Sequence, residues 1–198
     1  MNPYTHAELS VRRRGGLIED YYAIHSFLDS TKELCSDNRH RILHNHWAVR
    51  RILIPLFGPA LVNSDGKCVN LKDLCEQDHL LADYKNRFIP TLGDFVEAFE
   101  ELSAEEKQQI NRIHGLYEGR KDIQALLMSP LTVTGQLRSL RITHNQWFCN
   151  EIIPRLFQVD RQLEELGPVT VFDKMQFRPW MDNGRELPRS AQKIKALI

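Results

Sequence analysis

Apolar positions recur at helical spacing along most of the chain. Tyr22, Ile24, Phe27, Leu28, Thr31 and Leu34 follow a helical spacing, which predicts a helix over 19–34. Ser36 and Asp37 have the polar side chains of a helix start. Ile42, Leu43, Trp47, Val49, Ile52, Leu53 and Leu56 then carry the period on, predicting a second helix over 38–57. Pro55 near its end and Gly58-Pro59 beyond it supply the stop. Leu61-Val62, Asn63-Ser64-Asp65-Gly66 and Cys68-Val69 predict a short β-hairpin about an Asp-Gly turn, near residues 60–71. Further helices are predicted over 73–84, 90–102, 103–117 and 134–157, with a break at Ser129-Pro130. The run Ser103-Ala104-Glu105-Glu106 has the form of a helix cap with carboxylates in the first turn. Residues 1–16 are polar, show no apolar stripe, and read as a leader ending at Gly15-Gly16.

Two stretches match at an offset of 100 residues without a gap. Residues 41–57 and 141–157 share eight of 17 positions, among them His44/His144, Asn45/Asn145 and Trp47/Trp147. A gapped match upstream sets Ser26, Leu28, Thr31 and Leu34 against Ser129, Leu131, Thr134 and Leu137. The expected fold is mainly α, a helical bundle built from two related helical units with the short hairpin inserted. The expected organisation is an N-terminal unit over 1–97, a degenerate second unit over 98–166 and a proline-containing arm over 167–198. Phe172, Phe177 and Trp180 would pack the arm down. The second copy has Met128, Thr132 and Leu140 where the first has His25, Asp29 and His40, so any metal chemistry belongs to the first.

Composition narrows the function without naming it. The 26 basic and 26 acidic residues balance, which argues against a general nucleic-acid binder or a membrane-surface protein. Arg12-Arg13-Arg14 and Arg50-Arg51 are local exceptions that solvated helix ends explain equally well. The four cysteines, Cys35, Cys68, Cys75 and Cys149, form no C-x-x-C pair and match no zinc spacing; idle thiols in a reducing cytoplasm are expected. No apolar run has the length of a membrane span.

Five of the eight histidines lie between positions 25 and 79. His40 and His44 stand four apart on a predicted helix, the spacing by which one helix offers two ligands to one metal. His25 with Asp29, and His79 with Asp83, repeat that spacing on two further helices. Three such pairs converging would make a mixed nitrogen–oxygen site suited to zinc, manganese, iron or nickel. His44 also has a structural reading, because His144 recurs where the other candidates are absent. His46 points away from His44 and falls outside the site. His6 and His114 give no usable signal.

The combined set Gly15-Gly16, Glu19-Asp20-Tyr21, Ile24-His25, Phe27, Asp29-Ser30, Lys32, Arg39-His40-Arg41, His44, Asn63-Ser64-Asp65-Gly66-Lys67, Glu76-Gln77, His79 and Asp83 resembles an uncharacterised bacterial and phage domain family of unknown function, over about residues 15–97. The resemblance implies a polar site built from His25, Asp29, His40, His44 and His79, with no established activity. The family pattern runs Glu-Gln-His, whereas here Asp78 intervenes before His79, and one extra residue turns an α-helical side chain by about 100°.

Two functions fit these residues. The first is a metal-dependent hydrolase of a phosphoester-type substrate, in which the ion lowers the pKa of a bound water. Glu76 or Asp83 would be the general base, and Lys32, Arg39 and Arg41 would hold the small anionic substrate. The alternative is a non-catalytic binding or regulatory protein, such as a phage product acting on a host protein partner, with a structural polar or metal cluster. The adjacent His-Asp pair of the helical phosphohydrolases is absent, as are a glycine-rich phosphate loop and a nucleophile motif.

Overall fold

The computed structural model describes residues 1–160 and 171–197. The expected boundary between the second unit and the arm, at 166/167, lies outside the described residues. The chain is mainly helical with one small antiparallel hairpin, as expected, and divides into two compact units, Met1–Thr91 with Phe177–Ile198, and Leu92–Gln176. Among the described residues no helix is long and apolar enough to cross a membrane.

The first unit opens with a helix where the sequence reads as a leader. α1 (Pro3–Arg14) starts on Asn2, whose side chain accepts the Thr5 N–H, and on Pro3 at a first-turn position. Its buried residues are His6, Ala7 and Ser10, small or polar, so no apolar stripe announces it. α2 (Glu19–Leu28) comes next and buries Tyr21, Ile24, His25, Phe27 and Leu28. Asp29 closes it, and the short 3₁₀ turn Ser30–Glu33 takes the place of its expected last turns.

The helix expected over 38–57 is two elements. Asn38–Leu43 is a 3₁₀ turn interrupted at Arg41 (ψ 20°), and the chain breaks at His44-Asn45. Asn45 makes the new start: its Oδ1 accepts the Ala48 N–H, while its Nδ2 donates to the Ile42 carbonyl at 2.7 Å. The helix over 46–57, α3, then contains a π-helical turn, Val49–Leu53, just ahead of Pro55. Proline offers no N–H and its ring crowds the carbonyl four residues back, which the wider turn accommodates. β1 (Ala60–Val62) and β2 (Cys68–Asn70) pair in antiparallel register, Leu61 opposite Val69. The helix over 71–83, α4, has a second π-helical turn at Cys75–Leu80.

In the second unit α5 (Leu92–Val96) is shorter than expected, and α6 (Ala104–Leu116) begins with the expected capping box of Ser103 and Glu106. α7 (Lys121–Thr134) runs through Pro130 instead of breaking there. The Leu126 carbonyl, which proline leaves without its helical N–H, accepts the Ser129 hydroxyl at 2.7 Å. Leu102, Ile110 and Leu140 form a buried cluster with Met128 and Leu131 against it. The expected long helix 134–157 breaks as its counterpart does: a 3₁₀ turn Leu137–Ile142, Asn145 accepting the Phe148 N–H, and a π-helical turn Phe148–Ile152 ahead of Pro154. The sequence repeat is therefore also a repeat of local geometry.

Candidate metal centre

Four buried ligand atoms converge inside the first unit: Asp29 Oδ1, His44 Nε2, His79 Nε2 and Asp83 Oδ2, all within 4.8 Å of one another. Each comes from an element end or an irregular turn. Asp29 caps α2, His44 sits where the 3₁₀ turn ends, and His79 lies in the π-helical turn of α4 with Asp83 one turn on. His44 Nε2 stands 3.0 Å from His79 Nε2, 3.2 Å from Asp83 Oδ2 and 3.6 Å from Asp29 Oδ1. His79 Nε2 stands 3.9 Å from Asp29 Oδ1 and 4.0 Å from Asp83 Oδ2. Ligands about 2.0–2.1 Å from a tetrahedral ion lie roughly 3.4 Å from one another, in the middle of these separations. The donors are two imidazoles and two carboxylates, a mixed nitrogen–oxygen set that could hold a metal ion. Neither Asp29 Oδ1 nor His44 Nδ1 has a hydrogen-bond partner among the described residues.

The π-helical turn explains how His79 reaches this point. On a regular α-helix the extra residue Asp78 would swing His79 away, but a π turn takes up one residue without rotating the turns beyond it. Asp78 itself points to α1: its carboxylate accepts from Arg13 Nη1 at 2.9 Å and Arg14 Nε at 2.5 Å. Two of the three consecutive arginines are thereby spent on a buried carboxylate.

The remaining sequence candidates occupy several surroundings. His25 lies behind His79, the two Nδ1 atoms 3.0 Å apart, and its Nε2 is 2.9 Å from Ser10 Oγ. His40 stands at the edge: its Nδ1–H donates to the Asp37 carbonyl at 2.6 Å, and its Nε2, buried and without a partner, is 3.8 Å from Asp29 Oδ1. Lys32 pairs with Asp29 Oδ2 at 2.8 Å. Arg41 is buried, with Nε 3.4 Å from Asp83 Oδ2, hydrogen bonds to the Met181 carbonyl and Asn183 Oδ1, and its guanidinium over the Tyr84 ring. Arg39 pairs with Asp37. Glu76 is held by His46 Nδ1 at 2.7 Å and Lys72 Nζ at 2.9 Å.

His6 is the residue the sequence reading misses. It stacks on His79 with ring centres 3.8 Å apart, its Nδ1 is 2.8 Å from the Asp78 carbonyl, and its Nε2 is 3.2 Å from Asp83 Oδ1, which also receives the Met1 nitrogen. The usable signal was the Asn2-Pro3 helix start, which puts His6 and Ser10 four apart on one face.

Burial dominates the protonation states. It pushes His25 down to about 3, with the nearby His6 adding to the shift, and His40 down to about 4, with His44 adding. Burial also holds His79 well below the usual histidine range, helped by His6 and His44. Burial alone would raise Asp29, but the adjacent His44 imidazole and the Lys32 ammonium outweigh it and bring the carboxyl to about 2. Asp83 is lowered against burial by hydrogen bonds from His44 and His6. Ionised Asp29 and Asp83 and a neutral His79 are the states a metal requires of such ligands.

Fold and cluster together define a mainly helical protein with a buried histidine–aspartate group at metal-ligand distances. The chain belongs to the family described as Domain of unknown function (DUF6915), which matches residues 1–104 of the 198 and so includes all four converging residues with His6, His25 and His40. No curated protein and no solved structure matches the chain.

Proposed function

We propose that the first unit binds one divalent transition ion, zinc, manganese or iron, through Asp29, His44, His79 and Asp83. In this reading the protein is a metal-containing binding or regulatory module for a protein partner in the cytoplasm. The observation that carries it is the convergence of four buried donor atoms within 4.8 Å, two of them carboxylate oxygens. Lys32 on Asp29, and Arg41 with the Met1 nitrogen on Asp83, offset part of the buried carboxylate charge at the outer side. An ion at the inner side would add to that and, by joining three segments of chain, would link their positions to one another.

The geometry lends less support to phosphoester hydrolysis. A substrate clamp needs cations free to meet an anion, yet Arg39 is paired with Asp37 and Arg41 is enclosed by Asp83, Tyr84 and the Met181–Asn183 backbone and side chains. Glu76, the first candidate base, is engaged by His46 and Lys72. Asp83, the second, serves as a ligand.

Calorimetric titration of chelator-treated protein with zinc tests the reading. One ion per chain is expected, with Asp83→Asn and His44→Gln each weakening binding by about 100-fold or more. A wild-type chain that takes up no zinc, manganese or iron(II), or variants that bind as it does, would overturn it.

A further inference from the structure

We propose that His25 is a positioning residue for the metal centre and not a ligand: with Ser10 it fixes His79 in the tautomer whose bare Nε2 faces the ion. The inference rests on the metal reading and adds the device that orients one ligand.

The hydrogen-bond series begins at a backbone carbonyl. Ser10 Oγ lies 3.2 Å from the His6 carbonyl and 2.9 Å from His25 Nε2. A carbonyl only accepts, so the hydroxyl proton goes to it, and Ser10 must then receive its second hydrogen bond from His25 Nε2–H. A neutral imidazole has one N–H, so His25 Nδ1 is bare. It faces His79 Nδ1 at 3.0 Å, and that atom must therefore carry the proton of His79. The same count leaves His79 Nε2 bare, directed at His44 Nε2, Asp29 and Asp83. Each hydrogen bond in the series thus sets the next, from the His6 carbonyl to the metal position.

Ring geometry separates the two faces of His79. His25 and His79 lie nearly coplanar, 17° apart, with ring centres 5.2 Å apart and nitrogens 3.0 Å apart, so the nitrogens sit almost on the line between the centres. That is a head-on N–H···N bond, with no room for an ion. His44 and His79 are tilted by 58°, with centres only 4.8 Å apart at the same nitrogen distance, so their two Nε2 atoms are directed to one side of that line. A second ion on His6, His25 and His79 is disfavoured by the same means: His6 and His79 stack at 16°, and both His6 nitrogens already face Asp78 and Asp83 oxygens. Outer partners of this kind orient a ligating imidazole and raise its basicity, and losing one costs about 10- to 100-fold in affinity.

The test combines ¹⁵N NMR of the histidine rings, without metal and with zinc, and zinc titration of variants of the full chain. Expected are a proton on His79 Nδ1 in both states, coupling across the hydrogen bond to His25 Nδ1, and a zinc-induced shift at His79 Nε2 only. His25→Leu should lose about 10- to 100-fold in zinc affinity, and His25→Asn, whose side-chain oxygen stands near the Nδ1 position, should recover most of it. Zinc bound at His25 Nδ1, a proton on His79 Nε2, or unchanged affinity in His25→Leu overturns the role of His25 while the metal centre stands. A wild-type chain with these tautomers that binds no zinc removes the metal reading, and the role given to His25 with it.

Discussion

His44 and His144 occupy matched positions in the repeat and do different work. His144 turns its Nδ1–H to the Leu140 carbonyl at 3.1 Å, inside its own turn, and leaves Nε2 buried without a partner. His44 directs Nε2 into the histidine–aspartate cluster. The structural role considered for both residues from the repeat thus describes His144. Burial pushes His144 down to about 4, the nearby His114 adds to this, and the Leu140 hydrogen bond opposes it. Arg141, Glu106 and Lys174 line the same depression, with Arg141 and Glu106 paired to each other. Because the folded value lies below the ordinary 6.5, folding favours the neutral ring. The stability it contributes is complete above about pH 6.5 and is lost as pH falls towards 4, by at most about 3 kcal/mol. Chemical denaturation of the wild type and His144→Gln across pH 8 to 4 should show the difference between them shrink as pH falls. A pH-independent difference would remove burial of a neutral His144 as the cause.

At the scale of elements, several residues of the sequence pattern are structural. Gly15 and Gly16 hold φ of 81° and 77°, the left-handed region, and bring the end of α1 onto the hairpin turn. Gly16 N–H donates to Asp65 Oδ2 at 2.7 Å, and Asp20 accepts from the Leu17 and Ser64 N–H groups and the Ser64 hydroxyl. Asn63 donates to the Arg14 carbonyl and Tyr21 Oη. A Cβ on Gly16 would collide with Asp20 Oδ2 and stand 2.9 Å from Asn63 Cβ. Gly16→Ala should therefore cost about 2–3 kcal/mol by urea denaturation, and Gly135→Ala, left-handed but with open space around it, about 1 kcal/mol. Equal losses would show that the packing of the clasp contributes nothing. The hairpin, the capping box and α2 were legible because turn chemistry and apolar period are local. The breaks at Asn45 and Asn145 were not, since the apolar period runs unbroken across them and only the Asn side chains mark the new start. α1 escaped for the opposite reason: it buries histidine, alanine and serine.

For the molecule, the two units keep a shared local design and unequal polar content. The four converging residues all lie in the unit formed by Met1–Thr91 and Phe177–Ile198, and they lie within the family match. That Asp29, His44 and His79 belong to one polar cluster was readable from their residue types and, for Asp29 and His79, from four-residue spacings, although the spacing argument fails for His40 and His44, whose segment is a broken 3₁₀ turn. Asp83 stood in the sequence both as a candidate base and as the partner of His79 in one of the converging pairs, and His25, read as a ligand, lies behind His79 with the two Nδ1 atoms 3.0 Å apart; spacing cannot tell an inner partner from an outer one. The most direct test is anomalous X-ray diffraction at the zinc edge from crystals grown with stoichiometric zinc. One peak is expected about 2.0–2.2 Å from Asp29 Oδ1, His44 Nε2, His79 Nε2 and Asp83 Oδ2 together; a fully loaded crystal with its zinc bound elsewhere, and these four side chains as they stand here, would contradict the account.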